Sequence, residues 1–149
     1  IKVNRNRDFE LKIRTGGMAK KKSLWIKEGL DKLNTDQEYS IDTLRQMPTE
    51  EARQKLLTLK GMGPKAVDCF LLLGLDKPVF PVDVNVFKLV SRLFHDCVTG
   101  SSDIQPNFSN AKHVRSTKLL LEESFTQDTK LYQVLHTYLL LAEKYKLPI

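Results

Sequence analysis

The chain has 149 residues, 41% of them hydrophobic and 28% charged, with a net charge of +6. That is length for one domain with a real core, and the composition excludes a disordered or collagen-like chain. No apolar run is long enough to span a membrane, the N-terminus carries no secretion signal, and the two cysteines, Cys69 and Cys97, cannot make a disulfide framework. A soluble intracellular protein is expected, and its basic excess suits a polyanion without specifying one.

Residues 1–17, rich in Lys, Arg and Asn and closed by Gly16-Gly17, read as a basic leading segment and a breaker. A helix is predicted from Met18 to about Leu33, with Ile26, Leu30 and Leu33 on one inward face. Lys20, Lys21 and Lys22 on its first turn read as a solvated face rather than a nuclear-targeting signal. Ser40 is expected to cap a short helix ended by Pro48, and Thr49 to cap the next, which buries Ala52, Leu56 and Leu57. Glu50 and Glu51 suit the positive end of that helix. After Gly61-Met62-Gly63, Pro64 is placed as the first residue of a further helix running to about Gly74, with Ala66, Val67, Phe70 and Leu71 continuing it.

The stretch DKPVFPVDVN holds two prolines and is predicted to run extended until a helix begins near Asp83. That helix reaches Leu93 or Phe94, with Val86, Leu89, Val90 and Leu93 inward. Residues 96–108 read as a loop, followed by helices over about Asn110–Glu123 and Asp128–Tyr145. No repeat and no strand pattern is present, so the expected fold class is all-α, a helical bundle.

The turn at LKGMGPK leaves two meanings open. It is either an αα corner closed by a glycine C-cap, or an anion site in which successive backbone N–H groups converge at a helix N-terminus. Lys65 is either a surface lysine or a nucleophile, a lysine amine beside a positive helix end whose lowered pKa lets it form a Schiff base with a sugar C1′. Asp83 is either a plain N-cap or a carboxylate that stabilises positive charge on a ribose ring.

The segment LLTLKGMGPKAVDCFLLLGLDKPVFPVDVNVFKLVSRLF resembles the helix–hairpin–helix DNA glycosylases of the endonuclease III type. Gly61, Gly63 and Lys65 match the hairpin signature, Val82-Asp83 matches the second element at the family's spacing, and Asn85 stands where His or Asn is usual. Within that family FPVDVNV and AVDCFLLLGL are most similar to the plant 5-methylcytosine glycosylases. GGMAKKKSLWIKEGLDKL and LYQVLHTYLLLAEKY are similar to their flanking helices. The likeness divides the chain into the basic segment 1–17 and a helical region 18–95, which holds the helix–hairpin–helix (56–74) and the Val-Asp element (82–93). A variable loop (96–108) and the C-terminal helices (109–149) follow.

The resemblance implies base-excision repair or demethylation of DNA. The target nucleotide is extruded from the duplex, Lys65 attacks C1′, and a Schiff base then permits strand cleavage by β-elimination. It implies a catalytic pair, Lys65 and Asp83, and DNA contacts from Leu59, Lys60, Gly61, Met62, Gly63, Pro64, Asn85, Lys88 and Arg92. The partner implied is double-stranded DNA with a modified or missing base, met by a monomer in the nucleus of a eukaryote or in the cytoplasm and nucleoid otherwise. Lys88 replaces the usual first Arg of an Arg-x-x-x-Arg pattern that keeps Arg92, so charge is retained but the bidentate fork is lost. The family's iron–sulfur cluster needs four cysteines after the last helix, where this chain reads AEKYKLPI. No metal and no cofactor is therefore expected. Helices that precede Met18 in the family exceed what 17 residues supply, so a piece of a longer protein is expected rather than a reduced relative.

Metal ligation by His95, His113 and His136 is not expected from their spacing. His136, in VLHTY, matches a family histidine and is read as a packing or hydrogen-bonding residue. Cys69, Trp25, Phe70 and Phe80 are read as core, with Phe80 near enough to Asp83 to line a pocket. A non-catalytic hairpin module that grips DNA backbone is the alternative to an enzyme, and a helical protein–protein module is a third reading.

Overall fold

The structure, a computed structural model, describes residues 5–147, so residues 1–4 of the leading segment and 148–149 of the C-terminal region lie outside it. The described residues are all α, without a strand: α1 (Arg5–Lys12), α2 (Ala19–Thr35), α3 (Ile41–Gln46), α4 (Thr49–Leu57), α5 (Pro64–Gly74), α6 (Val84–Leu93), α7 (His95–Thr99), α8 (Ala111–Ser124) and α9 (Thr129–Tyr145). Short 3-10 turns at Arg14–Gly16 and Gln37–Tyr39 complete the list. The chain divides into two compact units, Ile1–Gly63 and Pro64–Ile149. The hairpin motif is therefore shared: α4 and the glycine turn close the first unit, and α5 opens the second.

In the first unit the caps explain the boundaries. Ser40 Oγ accepts the Thr43 N–H at 3.2 Å and starts α3. Asp36 Oδ1 accepts from the Glu38 N–H at 3.0 Å and sets the 3-10 turn that carries Tyr39. Tyr39, Leu44, Ala52 and Leu56 are buried. The Tyr39 ring lies under the Lys32 ammonium at 4.1 Å, and its hydroxyl bonds Thr58 Oγ1 at 2.8 Å just before the glycine turn. The Thr58 bond, ahead of the lysine charges, holds the phenol below its ordinary pKa.

Three expectations for this unit are corrected. The leading segment contains a helix, α1, formed by a polar sequence that carries no apolar period. The N-cap of α4 is Pro48 rather than Thr49, because the extended backbone at Pro48 leaves Thr49 already helical. Ile26 and Leu30 are 41% and 53% exposed, while Ser23 is the buried residue of α2. The apolar face of α2 exists as predicted, but it is largely open in this chain.

The second unit is built on a core of Leu72, Phe80, Val82, Val86, Phe87, Val90, Val98, Leu121 and Tyr132. Its helices start where polar caps stand. Asp83 accepts from Asn85 N and Val86 N, Asn110 from Lys112 N, and Asp128 from Lys130 N and Leu131 N. Each such cap contributes about 1 kcal/mol. Between α5 and α6 the two prolines enforce the extended run that was expected. It is pinned by Phe80 N–H to Glu122 Oε1 of α8 at 2.8 Å. Asp68 of α5, although buried, is paired with Lys118 of α8 at 2.7 Å.

Two further expectations are corrected here. Leu93 is 47% exposed, since it lies in the last turn of α6 where the chain leaves the core. Where a variable loop was expected over 96–108, α7 (His95–Thr99) occupies its first positions, a five-residue helix that buries Val98 and ends in a left-handed Gly100. Its shortness gives it no readable period.

Candidate active site and nucleic-acid interface

The glycine turn is shaped by its own unit. Leu59 N–H bonds the Leu56 carbonyl at 3.1 Å, and Met62 N–H bonds the Leu59 carbonyl at 3.1 Å. Gly61 has φ +81°, a conformation that costs an ordinary residue about 1 kcal/mol or more. A Cβ there would fall 2.4 Å from Trp25 Cε3, so the indole lies directly on the turn and fixes its glycine. Trp25 is thus packed against backbone rather than offered as a stacking platform, in keeping with its reading as core.

Gly63 differs. A Cβ added there would meet nothing within 4 Å, and its φ is not positive. Nothing among the described residues requires a glycine at that position. The Met62 amide is engaged within the turn, whereas Gly61 and Gly63 donate no hydrogen bond among the described residues. Leu59 and Met62 are half-buried, Lys60, Gly63 and Pro64 exposed. Lys60 is ion-paired with Glu28 at 3.4 Å, both side chains largely solvated. Such a pair contributes little and is easily exchanged for another anion.

In the second unit Lys65 stands on the first turn of α5, exposed, with no ion pair and no hydrogen bond among the described residues. Asp83 is half-buried at the head of α6. Both of its capping bonds, to Asn85 N and Val86 N at 2.9 Å each, fall on Oδ1, so Oδ2 is left for another partner. A carboxylate locked in this way keeps one oxygen aimed by the helix while its charge sits at a positive helix end.

The two side chains have a common neighbour. His136 of α9 is 7% exposed, and burial pushes its pKa below the ordinary histidine value. The Asp83 carboxylate pulls the other way, the Lys65 ammonium pushes with burial, and a backbone hydrogen bond toward Pro81 favours the charged ring. Lys65 and Asp83 therefore both act on the His136 ring. From sequence His136 was expected to pack or hydrogen-bond, and its electrostatic contact with Lys65 and Asp83 was not foreseen. Its signal was its place on the buried stripe of α9, one helical turn beyond Tyr132.

Lys88 and Arg92 lie one turn apart on the exposed side of α6. Arg92 Nη1 is 3.2 Å from Glu143 Oε2 of α9, and Glu143 also takes a hydrogen bond from Lys146. The Lys146 bond first, then the Lys146, Arg92 and Lys88 charges, hold the buried Glu143 carboxyl below the usual carboxylate range. In the free chain the guanidinium predicted to meet a phosphate thus has a carboxylate beside it.

The other histidines and the cysteines lie outside this group. His113 is buried and its Nδ1 accepts the Asn107 N–H at 3.1 Å, which closes the loop before α8. His95 Nδ1 lies 3.1 Å from the adjacent Asp96. Cys69 is half-buried and Cys97 exposed, both as free thiols. The four thiolates of an iron–sulfur cluster cannot come from two cysteines, and the described residues hold no cluster of three or more His, Cys, Asp or Glu suited to a metal. No described helix is long and apolar enough to cross a membrane.

No family model matches the chain. Its relatives nevertheless define a class. The chain is similar to DNA glycosylases over part of its length. A protein of Arabidopsis thaliana described as a candidate DNA glycosylase is 37% identical over 89 residues, 59% of this chain and 30% of its own length. The DNA glycosylase/AP lyase ROS1 of Arabidopsis thaliana is 38% identical over 82 residues, 54% of this chain and 6% of its own length. A protein of Methanothermobacter thermautotrophicus assigned as an N-glycosylase/DNA lyase is 40% identical over 58 residues, 38% of this chain and 19% of its own length. Plant and archaeal glycosylases are thus homologues of this chain, as the resemblance of its motifs implies. The chain spans less than a third of the length of each of these relatives, at most the 30% of the first.

Proposed function

We propose that this chain carries the chemistry of a base-excision DNA glycosylase with abasic-site lyase activity, acting on a modified pyrimidine. The observation that carries the reading is the pairing of an unengaged lysine with a half-engaged aspartate. Among the described residues Lys65 has no hydrogen-bond or ion-pair partner, both capping bonds of Asp83 fall on Oδ1, and both groups act on the same buried imidazole. A protein that only grips backbone needs neither.

In this reading the Lys65 amine, as the free base, attacks C1′ of an extruded nucleotide. The N–C1′ bond forms as the C1′–base bond breaks, and its electron pair leaves with the base, which takes up a proton. Asp83 offsets the positive charge that develops on the sugar, from a carboxylate already oriented by its capping bonds. Loss of the amine proton and opening of the C1′–O4′ bond give the Schiff base. Removal of a C2′ proton then expels the 3′ phosphate by β-elimination, and water releases the lysine.

The hairpin would supply grip without sequence reading, through the amides of Gly61 and Gly63 and the bare surface at Gly63. Asn85, Lys88 and Arg92 on α6 would add further contacts to DNA. No step calls for a metal or a cluster. We place the protein with DNA as a monomer, in the nucleus of a eukaryotic cell or the nucleoid of a prokaryotic one, with DNA repair or demethylation as the process served.

The test is borohydride trapping on a duplex with one abasic site, with Lys65→Gln and Asp83→Asn beside the wild type. A covalent adduct that vanishes in Lys65→Gln and forms at least tenfold more slowly in Asp83→Asn is expected, a factor on the order of one misplaced catalytic group. No adduct from the wild type, with salt-sensitive duplex binding intact, overturns the enzyme and leaves the DNA-binding module.

A further inference from the structure

One buried titratable group beside Lys65 and Asp83 has no part in the chemistry above. The His136 ring stands edge-on to Phe80, with centroids 5.9 Å apart and planes at 73°. Phe80 is also held edge-on by Tyr132 at 5.4 Å, and its N–H by Glu122 Oε1 at 2.8 Å. Tyr132 in turn donates its hydroxyl to the Glu122 carbonyl at 3.0 Å. The four residues Phe80-Pro81-Val82-Asp83 are therefore anchored at their first two positions by α8 and α9, and they end in the carboxylate of the site.

The ring nitrogens are not equivalent. Nδ1 is buried and has no hydrogen-bond partner among the described residues. A buried nitrogen without a partner is uncommon in a folded protein and calls for a reason. As an unprotonated acceptor it is tolerable, whereas as an N–H of an imidazolium it would be a buried charge donor facing no acceptor. An imidazolium would also set a second cation against Asp83, in competition with Lys65 and with the charge developing on the sugar. Asp83 and Lys65 are the charged groups acting on this ring.

We propose that His136 is a positioning residue of the lysine–aspartate site: its buried ring, packed edge-on against Phe80, fixes where Asp83 stands at the end of the Phe80-Pro81-Val82-Asp83 run. The inference rests on the lysine chemistry proposed above. It concerns a residue that neither the hairpin nor the Val-Asp element contains.

The test measures the rate of borohydride-trapped adduct at saturating abasic duplex, affinity for a duplex with a non-reactive abasic analogue, and thermal unfolding. His136→Gln keeps a polar side chain and loses the ring, while His136→Phe keeps the ring contact and loses both nitrogens. The Gln variant is expected to keep its affinity and to lose about tenfold or more in trapping rate, as small misplacements of a reacting group do. The Phe variant should stay within about threefold of the wild type. The acid limb of its pH–rate profile should lose one proton's dependence, because it has no imidazole to protonate. A Gln variant that traps at the wild-type rate overturns the proposal. So does a parallel loss in both variants that simply tracks their unfolding temperature. Should the Gln variant fail to fold, an unchanged acid limb in the Phe variant overturns it instead. Absence of any adduct from the wild type is a different result: it removes the lysine chemistry itself, and this inference with it.

Discussion

Gly61→Ala should destabilise the first unit through two separable effects. The alanine must adopt φ +81°, which costs about 1–2 kcal/mol for a residue with a Cβ. Its methyl must also displace the Trp25 ring, whose Cε3 and Cδ2 atoms would lie 2.4 and 2.7 Å away. Forcing a group of that size into packed surroundings costs about 1–3 kcal/mol. The sum, about 2–5 kcal/mol, corresponds to a fall of roughly 5–15 °C in the unfolding temperature for a chain of this size. Trp25 is the sole tryptophan, so its fluorescence reports this unit directly, and the change in its environment should appear before unfolding as well as in the midpoint. Gly63→Ala is the matched control, since its Cβ meets nothing within 4 Å and it should move the midpoint by no more than about 0.5 kcal/mol. If Gly61→Ala unfolds within a degree or so of the wild type, or if Gly63→Ala is the worse of the two, the account of the turn as fixed by Trp25 is wrong. The same pair separates folding from function, because an alanine at Gly63 that leaves stability intact but weakens duplex binding would locate the close approach of DNA at that position.

Acidification should destabilise the chain through His136. Its folded pKa lies below its unfolded value near 6.5, so its contribution is fully present above that pH and is lost as pH falls through the folded pKa. Urea midpoints measured at pH 7 and pH 5 should therefore fall with pH in the wild type and fall less in His136→Phe; equal slopes would refute the assignment. Glu143 is also depressed, but its loss begins below about 4.5 and so lies outside that window. Glu143→Gln should release Arg92, and duplex binding should then tighten severalfold with a log–log salt slope steeper by about one. An unchanged slope would mean that Arg92 meets no phosphate. Lys118→Ala should remove the ammonium 2.7 Å from the buried Asp68 carboxylate and cost about 1.5–3 kcal/mol, read as a lowered urea midpoint, with Asp68→Asn in the same background restoring part of it.

How far the sequence carries can be judged from which residues were legible. Helices α5, α6, α8 and α9 were placed within a residue or two, because Pro64, Asp83, Asn110 and Asp128 each mark a start by local chemistry that the neighbouring residues cannot override. Helix α1 has no apolar period and α7 is too short to show one, so both were hidden. Periodicity found the apolar face of α2 but not its exposure, since a repeat of Ile26, Leu30 and Leu33 states that a face is greasy and not what lies over it. The candidate site divides in the same way. Lys65 and Asp83 stood out because motif spacing fixes them relative to helix starts. The partners that shape them come from elsewhere in the chain: His136 arrives from α9 more than fifty positions beyond Asp83, and Glu143 takes Arg92 from a stretch that reads as an ordinary amphipathic helix. Those contacts set a buried imidazole beside a lysine and an aspartate at helix ends. Spacing could nominate Lys65 and Asp83 as candidates, but only packing could show that a buried histidine of α9 lies near them.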